Sequence, residues 1–351
     1  MSAKANKRRS AMLRRKRGKR GARRRGQRRH IKQEQATGKF YDEGYDNGHT
    51  AGFGKGFETG MEKGSQGGNS EKDHEESYQS GYKKGIADGR YGGGEAIVDR
   101  IMPAHCIMPD TQLEDIIAAG IAALSDRFVN IIPVEQVAER IAQSLEQRTP
   151  LSVVRLGDGE LLAMAQETVM SVEDVRREGS FLSYAGIELP NLAVRDQLRD
   201  AVKRADIVGI PVLRQPNYQL LAGAVLAAHG IDIRSRPFTD SLVNYGLYKG
   251  GYLRRLLQGS SVLVIGNKAD QLASTLTGYG IAVAGTVTPV NGVADAARVI
   301  QHAQRHTFDI ALVSAGIAAV LIAEELARTT GKVAVDFGHL ADSIIKGEAP
   351  F

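Results

Sequence analysis

The chain has 351 residues and a formal net charge of +6, and its one cysteine, Cys106, excludes an intrachain disulfide framework and cysteine-based zinc sites. Sixteen of its 46 Lys and Arg residues stand in residues 1–32, where there is no Asp or Glu, leaving 30 basic against 40 acidic residues elsewhere. The body of the protein is therefore acidic, which argues against a nucleic-acid-binding core.

Four zones follow one another, and a length of this size suits one large or two ordinary domains. Residues 1–37 form a basic arm with runs such as RRKRGKRGARRRGQRR. Like charges at this density repel and little apolar surface is there to bury, so disorder is expected. Such an arm has salt-sensitive contacts to offer an anionic membrane surface or nucleic acid, both non-specific in kind. No apolar stretch follows it, so it is not a secretory signal. No run of eighteen apolar residues exists, so a membrane-spanning helix is not expected. A reducing, cytoplasmic location is the expectation, peripheral at the inner membrane face if the arm binds lipid.

Residues 38–95 carry a tetrapeptide repeat. YDEGYDNGHTAGFGKGFETGMEKG sets glycines at 44, 48, 52, 56, 60 and 64, each three residues after Tyr41, Tyr45, His49, Phe53, Phe57 and Met61. The unit returns with glycines at 81, 85, 89 and 93. A period of four is close to the helical 3.6, and small residues so spaced let helix backbones approach. Each interior Gly nevertheless costs a helix roughly 1 kcal/mol relative to Ala. Two readings stay open, a self-associating helix that gives a homo-oligomer and a flexible aromatic–glycine spacer.

Residues 96–150 read as a helical prelude. TQLEDIIAAGIAALSDRF and PVEQVAERIAQSLEQR have apolar residues at helical spacing, with Val134, Val137, Ile141 and Leu145 in one stripe. Pro133 suits a first turn and Pro150 a stop.

Residues 151–351 alternate β-branched runs with helical patterns. The strand candidates are 151–157, 206–211, 261–267, 281–287, 308–315 and 332–338. Between them stand helical stretches such as QLLAGAVLAAHG, LYKGGYLRRLLQG, KADQLASTLTGYG, GVADAARVIQHAQRH and IAAVLIAEELARTTG. Near-continuous Val/Ile/Leu strands alternating with helices predict an α/β domain, a Rossmann-like, mostly parallel sheet with helices on both faces.

Ligands of such sheets bind at the carboxyl ends of the strands. The residues there are Arg155 to Glu160, Pro211 to Asn217, Gly266-Asn267-Lys268, Ser314-Ala315-Gly316 and Asp336 to His339. They are polar, glycine-rich and ionisable, as a phosphate-bearing ligand requires. Neither RLGDGELL nor VIGNKADQL fits G-x-G-x-x-G, and the Walker lysine motif is absent. Asp158-Gly159-Glu160 suits a hard divalent cation, Mn²⁺ or Mg²⁺, since such ions take one or two carboxylates with ligand phosphates and water. In extended backbone, residues i and i+2 point the same way and Gly159 eases the bend. The competing reading makes Asp158 a helix cap and Glu160 a first-turn acid.

The segment Arg155-Leu156-Gly157-Asp158-Gly159-Glu160 resembles the R-[FL]-G-D-G-E hallmark of the GT-D-fold glycosyltransferases, a bacterial family. The stretches at 242–267 and 313–342, and TPVNGVADAARVI between them, are similar to that family too, so the likeness covers about 151–347. It implies a metal-dependent transfer of sugar from a nucleotide-diphosphate donor, a UDP-sugar by likeness, to a glycan or glycoprotein acceptor. It implies Asp158 and Glu160 as metal ligands. Arg155, Gly157, Gly266, Asn267, Lys268, Ser314 and Gly316 would then meet the nucleotide or diphosphate. Asn244 and Tyr245 sit on the helix before the VLVIGN strand and fit packing or capping equally well. The base that takes the acceptor proton is unassigned among Asp240, Asp336 and His339, and inversion and retention are both open. The alternatives are a non-catalytic sugar-nucleotide-binding or assembly protein and another Rossmann transferase such as a methyltransferase.

Overall fold

The computed structural model describes residues 84–85, 89, 91–183, 187–214 and 218–351. The basic arm, most of the glycine repeat and part of the 211–217 turn lie outside the described residues. The chain divides into two compact units, residues 1–127 and 128–351. In the first unit, a π-helical turn at Tyr91–Glu95 leads into α1 (Ala96–Ile101), and α2 spans Leu113–Ala123. Gly94 is buried, and a Cβ there would overlap the end of the Leu113 side chain. Among the described residues no helix is long and apolar enough to cross a membrane.

The second unit begins with α3 (Val134–Gln147), entered through Pro133 as expected, with Val137, Ala138, Ile141 and Ser144 buried. Strand β1 (Leu151–Arg155) follows, then α4 (Asp158–Ala165), α5 (Val172–Glu178) and α6 (Leu192–Arg204). Next come β2 (Ile207–Ile210), α7 (Tyr218–Ala228) and β3 (Phe238–Asp240). Helices α8 (Val243–Lys249) and α9 (Tyr252–Leu257) lead to β4 (Val262–Gly266). The remainder is α10 (Ala269–Gly278), β5 (Val283–Val287), α11 (Ala296–Ala303), β6 (Ile310–Ser314), α12 (Ala318–Thr330), β7 (Val333–Asp336) and α13 (Leu340–Ile345).

Among the described residues all seven strands are parallel, in the order β3-β2-β1-β7-β6-β4-β5. Strand residues alternate between two cores, the expected period of two. Val154, Val208, Leu263, Ile265, Ala311 and Val313 join one core with α4, α6, α7, α11 and α12. Val153, Ile207, Val262, Val264, Leu312 and Val335 join the other with α3, α8, α9, α10 and α13. Both faces of the sheet are thus dry, which is why the strands read as unbroken apolar runs.

Three features differ from the sequence expectation. Strand β3 has only three residues, too short for a periodic signal, and it forms because Val208 to Ile210 of β2 pair with it. LYKGGYLRRLLQG is two helices, because Gly251 adopts a left-handed φ of 68° that ends α8 and starts α9. Helices α5 and α6 come from stretches rich in charge, whose apolar stripes are narrow, and α13 has only six residues.

Leu312 is fully buried on the interior strand β6. Leu312→Ala removes a buried side chain and leaves a cavity, and is expected to cost about 2–5 kcal/mol in urea unfolding of the chain.

Candidate active site

Strand β1 lies mid-sheet, between β2 and β7. The chain leaves β1 for β2 on one side and reaches β7 on the other side last, and crevices at such reversals receive ligands. Arg155, the last residue of β1, occupies that position. Its guanidinium joins three strand ends. Nε donates to the Asp336 carbonyl at 3.1 Å and Nη2 to Asp336 Oδ1 at 2.9 Å, both on β7. Nη1 donates to the Ser241 carbonyl at 3.1 Å and to Asn244 Oδ1 at 3.3 Å, after β3. Asn244 is buried, and its Nδ2 donates to the Phe337 carbonyl at 2.8 Å, closing the ring of contacts.

Two glycines make room for this side chain. A Cβ on Gly209 would lie 3.2 Å from Arg155 Cγ and 3.0 Å from the Asp240 carbonyl. A Cβ on Gly338 would overlap Arg155 Nη2, and the φ of 54° there already favours glycine. The Asp336 side chain is 5% exposed and that of Arg155 16%. Burial pushes the Asp336 carboxyl up, while Arg155 draws it back. Burial also works against the Arg155 charge, but Asp336 prevails and holds the guanidinium above its ordinary value.

The acidic triplet is not extended. Helix α4 begins at Asp158, so Asp158 and Glu160 are about 200° apart around it and do not point the same way. The cause is Gly157, which takes the cap position and lets the backbone turn at once into helix. Asp158 is exposed, with Oδ1 accepting from its neighbour Gly159 N at 2.8 Å. Glu160 is half-buried, and its Oε2 accepts from Gly157 N at 2.8 Å. This is the carboxylate half of a capping box, and Gly157 has no side chain for the other half. Gly159 serves packing, because a Cβ there would sit 3.0 Å from Ile317 Cδ1.

Glu160 has its pKa raised from 4.5 to about 7. Burial contributes most, then the Asp336 charge, against backbone N–H groups of Glu160 and Gly157 and the Arg155 charge. Glu160, Asp336 and Arg155 thus form one electrostatic unit at the mouth of β1. Among the described residues there is no group of three or more His, Cys, Asp or Glu fit to hold a metal. Two carboxylates are the donor type that Mg²⁺ or Mn²⁺ takes with ligand phosphates and water, but a metal shared by Asp158 and Glu160 requires one of the two diverging side chains to turn.

The other predicted residues fall into separate groups. Gly266 and Ser314 touch across the β4–β6 register, and a Cβ on Gly266 would overlap the Ser314 carbonyl. Ser314 Oγ is buried without a hydrogen-bond partner, a donor and acceptor awaiting one. Gly316 is exposed, with a φ of 52° in the turn before α12. Asn267 Oδ1 accepts from Val290 N at 2.7 Å, which ties down the turn after β5. Lys268 Nζ donates to Asp342 Oδ1 at 2.5 Å, and His339 Nδ1 lies 3.1 Å from Asp342 Oδ2. Asp240 Oδ1 accepts from Leu242 N at 2.9 Å in its own turn. Asn217 lies outside the described residues, while neighbouring Tyr218 has its hydroxyl pKa raised, by burial and then by the Asp158 charge.

Sequence reasoning passed over Asp342, Ser241 and Gly209, took Gly338 only as part of the Asp336 to His339 turn, and left Asn244 to packing or capping. Gly338 was detectable in principle, since a glycine two residues past a strand-end acid often marks a close approach. Asp342 stands three residues after His339, a helical neighbour of it.

A family model described as the GT-D fold-like domain matches residues 132–344. The carbamoyl phosphate synthase large chain of Pseudothermotoga lettingae is 30% identical over 109 residues, 30% of this chain and 10% of that protein. The chain thus spans about a tenth of the length of that curated relative. Among solved structures, one is described as the highly conserved domain of unknown function 1792 with a distinct glycosyltransferase fold. It is 17% identical with a TM-score of 0.43, over 66% of this chain and 84% of that one.

Two outcomes follow from the electrostatics. Arg155→Ala leaves the buried Asp336 charge without its partner and is expected to cost about 3–5 kcal/mol in urea unfolding. Arg155→Lys, which keeps a charge without the planar fork, should cost less. Glu160 binds its proton more tightly folded than unfolded, so its contribution to stability falls as pH rises from about 4.5 to about 7 and is level above that. Glu160→Gln should remove this slope from a series of urea midpoints taken across that pH range.

Proposed function

The chain belongs to the GT-D-like family, and on that premise we propose how this glycosyltransferase works: it moves a sugar from a nucleotide-diphosphate donor, a UDP-sugar, to a glycan or glycoprotein acceptor with the help of Mn²⁺ or Mg²⁺. The observation that carries the proposal is the exposed Asp158 carboxylate at the carboxyl edge of β1, beside half-buried Glu160 and the Arg155–Asp336 pair.

Asp158 and Glu160 would hold the metal, which when bound supplies positive charge to the diphosphate leaving group. Arg155 keeps the floor of the site rigid through its bonds to Asp336, Ser241 and Asn244, which take four of its five N–H groups. Its role is to set the position of the α4 start relative to β7. The first turn of α4 puts the positive end of a helix dipole at this edge, with Gly157 N and Gly159 N engaged by the Glu160 and Asp158 carboxylates. Gly266 and Gly316 allow a ligand close to the backbone beside the Ser314 hydroxyl, which suits the nucleotide. Lys268 is held by Asp342 and adds positive charge at the same edge. The arm at 1–37 and the repeat at 38–95 fit a tether and a spacer that keep the transferase near an anionic surface at the cytoplasmic face of a membrane.

Thermal or calorimetric titration with UDP tests the proposal. UDP at about 100 times its dissociation constant should add about 2.7 kcal/mol of stability in the presence of Mn²⁺, and little in its absence. Asp158→Asn combined with Glu160→Gln should abolish the metal-dependent part. Stabilisation by S-adenosylmethionine in place of UDP, or UDP binding indifferent to metal and to both substitutions, would sink the proposal. A UDP-sugar panel with mass spectrometry of products then identifies donor and acceptor.

A further inference from the structure

With Asp158 and Glu160 given to the metal and Asp342 held by Lys268, the candidates to take a proton from an acceptor hydroxyl are Asp240, Asp336 and His339. The fold separates them. Asp336 is buried and its carboxylate is committed to Arg155, so its use as a base would leave the guanidinium unpaired. Asp240 closes its own turn at the end of β3, two strands away from β1 at the sheet edge. His339 directly follows Gly338, whose missing side chain is what lets Arg155 Nη2 pass. The imidazole therefore springs from the wall of the β1–β7 crevice, and its ring is 94% exposed.

The ring is oriented by its neighbours. Asp342 of α13 meets His339 Nδ1 at 3.1 Å through Oδ2, and Lys268 of the β4–α10 turn at 2.5 Å through Oδ1. These are the charged groups facing the ring, one from its own helix and one from the turn opposite. The hydrogen bond from Lys268 holds the Asp342 carboxyl below its usual range against the pull of partial burial, and the contact with His339 adds to this. An ionised carboxylate only accepts hydrogen bonds, so in this contact Nδ1 donates. The neutral ring then carries its lone pair on Nε2, which is the nitrogen left for solvent and substrate.

We propose that His339 is the catalytic base of the transfer, and that Asp342 and Lys268 are positioning residues acting through it. The inference rests on the transferase reading above. The acceptor oxygen bonds to the anomeric carbon of the donor as the bond from that carbon to the diphosphate oxygen breaks. The hydroxyl proton passes to Nε2, and the bonding electron pair leaves with the nucleoside diphosphate. One displacement of this kind inverts the anomeric centre. Asp342 stabilises the imidazolium that forms, as the carboxylate does in a Ser-His-Asp triad.

The test uses the full chain with Mn²⁺ and UDP-glucose, UDP-galactose and UDP-N-acetylglucosamine, water being the acceptor. The wild-type chain should release sugar whose first-formed anomer, read by NMR, is inverted relative to the donor. His339→Ala should lower kcat about 10²–10⁴-fold while leaving the thermal shift by UDP and Mn²⁺ in place, and added imidazole should restore part of the rate. Asp342→Asn should give a smaller loss, confined to kcat with the donor KM unchanged, and should add nothing to the loss in His339→Ala, a pattern that a purely structural role would not produce. Independently of turnover, ¹⁵N-histidine NMR should find the ring protonated on Nδ1 when neutral, its signals identified by their loss in His339→Ala. Retention of configuration, wild-type turnover in His339→Ala, or a ring protonated on Nε2 would each overturn the base assignment alone. A wild-type chain that neither binds UDP nor hydrolyses any of the three donors overturns the transferase reading and this inference with it.

Discussion

The contact between Arg155 and Asp336 is the constraint around which the carboxyl edge of the sheet is arranged. A guanidinium that enters a protein interior must have its donors met and its charge balanced, or the fold loses several kcal/mol. Here one side chain meets a carboxylate, two backbone carbonyls and an asparagine amide, on segments that belong to β7 and to the link between β3 and α8. Gly209 and Gly338 are glycines because the clamp occupies the space of their side chains. The start of α4 and the turn before α13 are fixed relative to each other through it. The residues proposed to meet metal, donor and acceptor therefore stand on a frame that a ligand does not have to build.

Charge at this mouth is balanced with little to spare. Arg155 neutralises Asp336, and Glu160 is left facing both, its proton held to about pH 7 by burial and by the second carboxylate. Such a group is ready to accept a cation, which would relieve the repulsion between neighbouring acids. Asp158 differs from it only by its position on the helix, yet it is exposed. The two acids of one short motif thus have separate environments, one in water and one against the ion pair. The sixteen basic residues of the arm stand far off in the sequence, outside the acidic body that they more than neutralise.

Most of the architecture was legible in the sequence because the sheet is dry on both faces. Val/Ile/Leu runs at β1, β2, β4, β6 and β7 could hardly be anything else, and their ends named the turns that gather at the carboxyl edge of the sheet. What was illegible depends on partners distant in sequence. Strand β3 exists through pairing with β2, and three residues carry no pattern of their own. The acidic triplet was ambiguous between strand end and helix start, and Gly157, by accepting the cap position, decided for helix. Asn244 and Asp342 gain meaning only from Arg155, His339 and Lys268, which lie up to 89 residues away for the Arg155–Asn244 pair. His339 was legible as a candidate but not as the exposed one, since exposure is a property of the assembled turn.

The order of the strands has a consequence for biosynthesis. Strand β1 pairs with β7 through Leu151 and Val333, and Arg155 reaches Asp336 across 181 residues of chain. On a ribosome, β1 and β2 emerge long before β7, and the central strand must wait with one edge open and apolar on both faces. Non-local parallel pairing of this kind forms slowly and leaves such edges open to wrong partners. Until Asp336 is made, the Arg155 guanidinium has no carboxylate on β7 to meet. The clamp that organises the carboxyl edge is thus among the last contacts synthesis permits, and a nascent chain arrested before residue 333 lacks the β7 side of the proposed site.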